Sequence, residues 1–177
     1  MRVPALGLLL ALAACQSEPA PLANTATASE TTPNEVDLRV LTSGGATHRL
    51  TVELAVTEAE QQQGLMNRPA MADDHGMIFP FLYPKIASFW MKDTPMPLDL
   101  LFIRPDGTIA AILEGKPRDL HPISAGEAVS AVLELKQGRS KALGIAPGDR
   151  VQWGDCATPE PAAGTWRADR FCPAAAK

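Results

Sequence analysis

The sequence predicts a mainly β domain, a compact antiparallel barrel or jelly-roll-like sandwich with one or two short helices. Short stretches that alternate apolar and polar residues recur along it, each bounded by Gly, Pro, Asp or Asn. One stretch, after Thr57, carries a clear helix-start pattern, and no long repeat interrupts the series.

Val36 to Leu41 alternates, Thr42-Ser43-Gly44-Gly45 turns, and alternation resumes from His48 to Val56 through Leu50, Val52 and Leu54. This reads as a hairpin with one buried face. Thr57-Glu58-Ala59-Glu60 matches a capping box, so a short helix is expected from Glu58 to about Met66, closed before Pro69. Gly76-Met77-Ile78-Phe79 reads as a short strand ended by Pro80, and a proline loop leads to a central strand starting at Ala87. Leu98 to Arg104, the turn Pro105-Asp106-Gly107 and Thr108 to Leu113 form a second hairpin. Glu114 to Glu127, rich in Pro, Gly and charge, reads as a loop. Ala128 to Leu135 alternates as a strand, Arg139 to Leu143 suits one helical turn, and Arg150-Val151-Gln152-Trp153 forms the last strand.

This domain, residues 35–154, is preceded by a different kind of sequence. Met1-Arg2, an apolar run from Val3 to Leu12 and small residues before Cys15 resemble a bacterial lipoprotein signal peptide, residues 1–14, whose cysteine is diacylated. The plainer alternative is an ordinary secretory signal with an incidental cysteine. Several acyl chains on Cys15 would anchor the protein to a membrane. Gln16, with no acid there, favours the outer membrane by the sorting rule of such lipoproteins, facing the periplasm. Residues 15–34, built of Pro, Ala, Thr, Ser and Glu, have little to bury and read as a lipidated disordered tether.

The net charge is −4, and losing Arg2 with the signal makes it about −5, the wrong sign for a nucleic-acid partner. With Cys15 assigned, Cys156 and Cys172 remain in the tail, residues 155–177. An even remainder in an oxidising compartment argues for a disulfide, worth about 3 kcal/mol for this loop length.

Gly64-Leu65-Met66-Asn67-Arg68, Gly76-Met77-Ile78-Phe79, Ser88-Phe89-Trp90-Met91-Lys92-Asp93-Thr94, Pro97-Leu98-Asp99-Leu100-Leu101-Phe102-Ile103 and Val132-Leu133-Glu134-Leu135 come in a telling order. With these motifs the chain, over roughly Val36 to Trp153, resembles the domain-of-unknown-function 192 family. The resemblance implies a compact barrel-like or jelly-roll-like β domain, often exported, and no established activity. Where this chain has Asp93 the family usually has asparagine. Many members also carry cysteines in the loop corresponding to Glu114 to Glu127, which has none here. The tail from Gly154 lies beyond the pattern.

The stretch from Ser88 to Asp99 sets large apolar side chains beside a lysine, two acids and two prolines, as the wall of a binding site would. Alternation puts Trp90 and Lys92 on one face and Phe89 and Met91 on the other. Asp99 shares a strand face with Leu101 and Ile103, and Glu134 with Val132; a carboxylate on an apolar face needs a partner, and Lys92 is the available cation. The expected site is a groove lined by Trp90, Lys92, Asp93, Thr94, Asp99 and Glu134, with Met66 and Arg68 at its rim. An indole beside acids and a hydroxyl suits a sugar, a cell-wall fragment or another small polar ligand. The competing reading is that Asp99 and Glu134 cap backbone turns and Lys92 neutralises them.

Two further readings follow from the same residues. The two acids could serve as general acid and base in a weak glycoside hydrolase. Met66, Met71, Met77, Met91 and Met96, with His75 nearby, could hold Cu(I), although Met also fills irregular cores. No G-x-S-x-G, H-E-x-x-H or Gly-rich phosphate motif is present, so no cofactor or metal is assigned and the enzyme reading stays secondary.

Overall fold

The computed structural model describes residues 34–156 and 167–173. The expected signal segment, the lipidation site Cys15 and the tether up to residue 33 lie outside the described residues. Among those described, the elements in order are β1 (Glu35–Leu41), β2 (Thr47–Leu54), α1 (Glu58–Gln63), β3 (His75–Ile86), β4 (Leu98–Ile103), β5 (Ile109–Gly115), β6 (Ala128–Lys136), α2 (Arg139–Ala142) and β7 (Arg150–Trp153).

The expected hairpin forms between β1 and β2, with Leu38 opposite Leu50 and Val36 opposite Val52. Its turn closes through Thr42, whose N–H donates to the Ala46 carbonyl at 2.9 Å and whose hydroxyl oxygen accepts from Ala46 N–H at 3.0 Å. The capping box also forms: Glu60 N–H donates to the Thr57 hydroxyl, and the Glu60 carboxylate accepts from Thr57 N–H at 2.8 Å. Because the connection that contains α1 returns the chain to the starting end of β2, β2 and β3 pair in parallel. The remaining strand pairs are antiparallel as expected, and the parallel pair corrects the purely antiparallel expectation.

The seven strands form one sheet in the order β5-β4-β6-β3-β2-β1-β7. It is mainly β and sandwich-like but does not close into a barrel. An isolated bridge between Thr108 and Arg150 draws the start of β5 towards β7, with Ile109 N–H donating to the Asp149 carbonyl and the N–H groups of Gly148 and Val151 donating to the Ile109 and Gly107 carbonyls, each at 2.8 Å, but no continuous ladder joins the two strands. The closed-barrel alternative is therefore corrected.

Two strand expectations shift. β3 does not stop at Pro80 but runs on to Ile86, with a register irregularity against β6 between Pro80 and Lys85. The β2 ladder ends at the Leu54–Ile78 pair, so Pro80 lies where β3 has no partner strand on that side and its missing N–H costs no ladder bond. The expected central strand from Ala87 is instead an extended covering segment. Phe89 makes a single bridge to Ile123, and Met91 N–H donates to the Asp119 carbonyl at 2.8 Å, so it pairs with the loop before β6 rather than with the sheet.

The sheet buries apolar side chains on both faces. On one face Leu38, Val52, Ile78, Leu101, Leu133 and Trp153 belong to a core inside the curl of the sheet. On the other, Met77, Phe79, Leu100, Phe102 and Val132 pack against Leu65, Met91 and Met96 from non-strand segments. All six residues of β4 are consequently buried, which explains its unbroken run Leu98-Asp99-Leu100-Leu101-Phe102-Ile103. The tail is pinned to β7: the Phe171 and Trp153 rings stack at 4.5 Å, Trp153 Nε1 donates to the Ala168 carbonyl at 2.8 Å, and the expected Cys156–Cys172 disulfide is present.

Candidate ligand-binding site

Strand register decides what the two buried acids do. Glu134 on β6 lies opposite Met77 of β3 and Leu100 of β4, whereas Asp99 lies opposite Leu135. Opposed residues share a face, so the two carboxyls project to opposite sides of the sheet.

Asp99 is fully employed. Its carboxylate accepts from Gly138 N–H at 3.1 Å and from Ser140 N–H at 3.0 Å, supplying from β4 the cap that α2 lacks at Gly138. Glu134 has no such partner. It is 5% exposed, and among the described residues its carboxyl makes no hydrogen bond or ion pair. Burial without compensation pushes its pKa up to about 8, so the group carries its proton at neutral pH.

The layer over Glu134 is built by the segment after β3 and the end of α1. Trp90 is 53% exposed while its neighbour Met91 is fully buried, so the expected alternation survives without a strand. Lys92 Nζ lies 5.9 Å from the Trp90 ring centroid and 3.6 Å from the Asp93 carboxylate. Asp93 adopts φ 52°, and its carbonyl accepts from the N–H of Asn67, which has φ 62°. The Thr94 carbonyl accepts from the N–H of Arg118, with φ 59°, at 3.0 Å. Among the described residues these three are the only non-glycine positions with positive φ, and all clasp one short segment. Strained backbone of this kind clusters where geometry serves function. From the helix, the Gln61 side-chain amide donates to the Ala55 carbonyl at 3.0 Å and the Pro80 carbonyl at 3.1 Å, which fixes α1 beside the end of β2 and the middle of β3.

Between these layers lies an inner pocket of about 40 Å³ with Glu134 in its wall. Phe79, Phe89 and Leu65 give it an apolar lining; Thr94, Lys92 and Trp90 supply the polar and aromatic side. The Phe79 and Phe89 rings meet edge to face at 5.1 Å. Gln61, Gln62, Gln63 and Met66 line both this pocket and an outer groove of about 740 Å³, as do Trp90 and Lys92. The inner pocket has room for about three water-sized groups, whereas the groove falls within the roughly 300–1,000 Å³ of small-molecule sites.

Of the residues expected at the site, Trp90, Lys92, Thr94, Glu134 and Met66 meet at one pocket. Asp93 braces the covering segment without lining the pocket. Arg68 turns away to a forked pair with Glu53, which raises the guanidinium's pKa, and Asp99 lies beneath the other face. The turn-capping alternative thus describes Asp99 and not Glu134. Gln61, Gln62 and Gln63, which the sequence places only within the expected helix, line the pocket without having been expected there, as do Phe79 and Phe89. Their signal was a polar run leading directly into Gly64-Leu65-Met66.

The methionines are mostly core. Met77, Met91 and Met96 are buried in the apolar layer and Met71 packs against it, while His75 Nδ1 lies 2.8 Å from the Asp74 carboxylate. No cluster of three or more His, Cys, Asp or Glu stands ready for a metal among the described residues.

Solved structures that match this architecture include the following two. A protein from Sinorhizobium meliloti 1021, provisionally described as a transcription regulator, is 47% identical with a TM-score of 0.66, over 67% of this chain and 93% of that one. A protein of unknown function from Novosphingobium aromaticivorans DSM 12444 is 38% identical with a TM-score of 0.66, over 70% of this chain and 89% of the other. No curated protein matches at a significant level. Residues 39–153 match the domain of unknown function 192 (DUF192), described as Uncharacterized ACR, and they hold the end of β1, all of β2 to β7 and every residue of the inner pocket. On that match the chain belongs to the DUF192 family.

Proposed function

We propose that the domain is an exported, lipid-anchored binding module for a small polar ligand such as a carbohydrate or cell-wall fragment, held in the groove beside Trp90. One observation carries the reading: Glu134 is buried without a partner in the wall of a pocket that shares six lining residues with that groove. Leaving a carboxyl desolvated and unpaired destabilises a fold, and a ligand hydrogen bond would recover the loss. The half-exposed Trp90 ring offers a stacking surface, and the glutamine side chains of α1 offer amide donors and acceptors along the same groove. Acid-pair hydrolysis finds no support in the register, because its two carboxyls face opposite sides of the sheet. Anchoring rests on the residues around Cys15.

Calorimetric titration of the purified chain with a panel of soluble cell-wall glycans tests the binding reading. Saturable heat that disappears in Trp90→Ala, with the melting temperature of the variant unchanged, is the expected result. A panel that produces no heat with the wild-type protein removes it. Incorporation of labelled palmitate in cells, abolished by Cys15→Ala, is expected of the anchor; equal labelling of both proteins contradicts it.

A further inference from the structure

We infer that the inner pocket takes the acetamido group of an N-acetylated amino sugar whose ring lies against Trp90 in the outer groove. This rests on the groove being the ligand site and adds which functional group enters its base.

The chemistry of the walls selects the group. A protonated carboxyl offers an O–H donor, and the carbonyl of an acetamido group accepts it; the amide being trans, its N–H points the opposite way and takes no part in this contact. Glu134 is the buried group without a partner in that wall, and burial keeps it protonated at neutral pH. The Phe79 and Phe89 rings, packed edge to face in the pocket wall, and the Leu65 side chain suit a methyl group. A volume of about 40 Å³ admits a few heavy atoms and excludes a whole pyranose ring, which must then remain in the groove where Trp90 is exposed.

The surrounding charges favour a neutral group over an ammonium. Among the described residues lining the pocket, Lys92 is the one basic side chain, and it would repel an entering cation. Along the sheet row, Met77 separates Glu134 from Glu53, which Arg68 holds, and on the other side Leu100 and then Leu113 are apolar. From α1 the pocket receives only uncharged glutamines, Glu58 reaching the outer groove alone.

The test is calorimetry on the purified full chain with the methyl glycosides of N-acetylglucosamine, glucosamine and glucose, from pH 6.5 to 9. The N-acetyl glycoside should bind about thirtyfold tighter than the glucoside, the yield of one net hydrogen bond and one buried methyl. Glucosamine should bind no better than glucose. Above pH 8 the preference should fall about tenfold per pH unit as the donor proton is lost. Glu134→Gln, which keeps a donor and an acceptor, should retain the preference and lose its pH dependence; Glu134→Leu should lose the preference. Tightest binding of glucosamine, abolished in Glu134→Gln, would overturn the inference in favour of a cation pocket. Equal binding of all three sugars, dependent on Trp90, overturns it while leaving the groove as the site; no binding of any sugar removes both.

Discussion

The N–H of Asn67 donates to the carbonyl of Asp93 at 2.8 Å, and both residues are left-handed, so two sparsely populated backbone conformations hold one another at the rim of the pocket. Asn tolerates this region at least as well as Asp, because its side chain can bond to the local backbone. A β-branched residue there is strained.

Asp93→Asn should therefore change stability by less than about 0.5 kcal/mol, whereas Asp93→Val should lose about 1–2 kcal/mol in urea unfolding. An Asp93→Val protein as stable as wild type would remove the strain argument.

Glu134 makes the fold weaker as pH rises. Its folded-state pKa lies near 8 against an ordinary 4.5, so between those values the unfolded chain releases a proton that the folded chain keeps. Stability is intact below about pH 4.5 and declines up to pH 8, and the loss from this group is roughly 3 kcal/mol at pH 7. Glu134→Gln should be more stable than wild type at pH 7 by an amount of that order, with the advantage fading by pH 4.5, as read by urea midpoints across the range. A variant no more stable at pH 7 than at pH 4.5, relative to wild type, contradicts the burial assigned to this carboxyl.

Asp99 should behave in the opposite way. Removing its carboxylate in Asp99→Ala orphans Gly138 N–H and Ser140 N–H and should lose about 2–3 kcal/mol. Sugar affinity per folded molecule should not change, since the group lies on the far face. Loss of affinity without loss of stability would reverse the roles given to the two acids.

The Cys156–Cys172 bridge closes a loop of sequence separation 16 and holds Phe171 against Trp153. Reduction should lower stability by about 3 kcal/mol in the chain-entropy account, measured as a drop in melting temperature with dithiothreitol. Protein in which both cysteines are replaced by serine should match the reduced wild type and give no response to reductant.

Much of this architecture was readable in the residues. The β1–β2 and β4–β5 hairpins, the Thr57 capping box and the β6 strand all follow from alternation and turn chemistry, which act locally. The parallel β2–β3 pair and the passage of β3 through Pro80 were not readable, because each depends on which strand lies alongside, and the chain does not write that locally. The same holds within the site. Trp90, Lys92 and Glu134 stood out by residue type, and alternation put each on its proper face. Asp99 stood out equally and was misplaced, because the register that turns it from Glu134 is set by the β4–β6 pairing. Phe79 and Phe89 looked like ordinary core, and only the packing of the covering segment on the sheet gives them a cavity to line.

The most direct measurement is a carbon-detected NMR titration of the Glu134 side-chain carboxyl. A midpoint near pH 8 in the free protein, displaced upward by saturating N-acetylglucosamine glycoside, is what a neutral acid awaiting a ligand amide requires. A midpoint near 4.5, unmoved by the sugar, would mean the carboxyl is solvated or already paired, and the account of the pocket would be wrong.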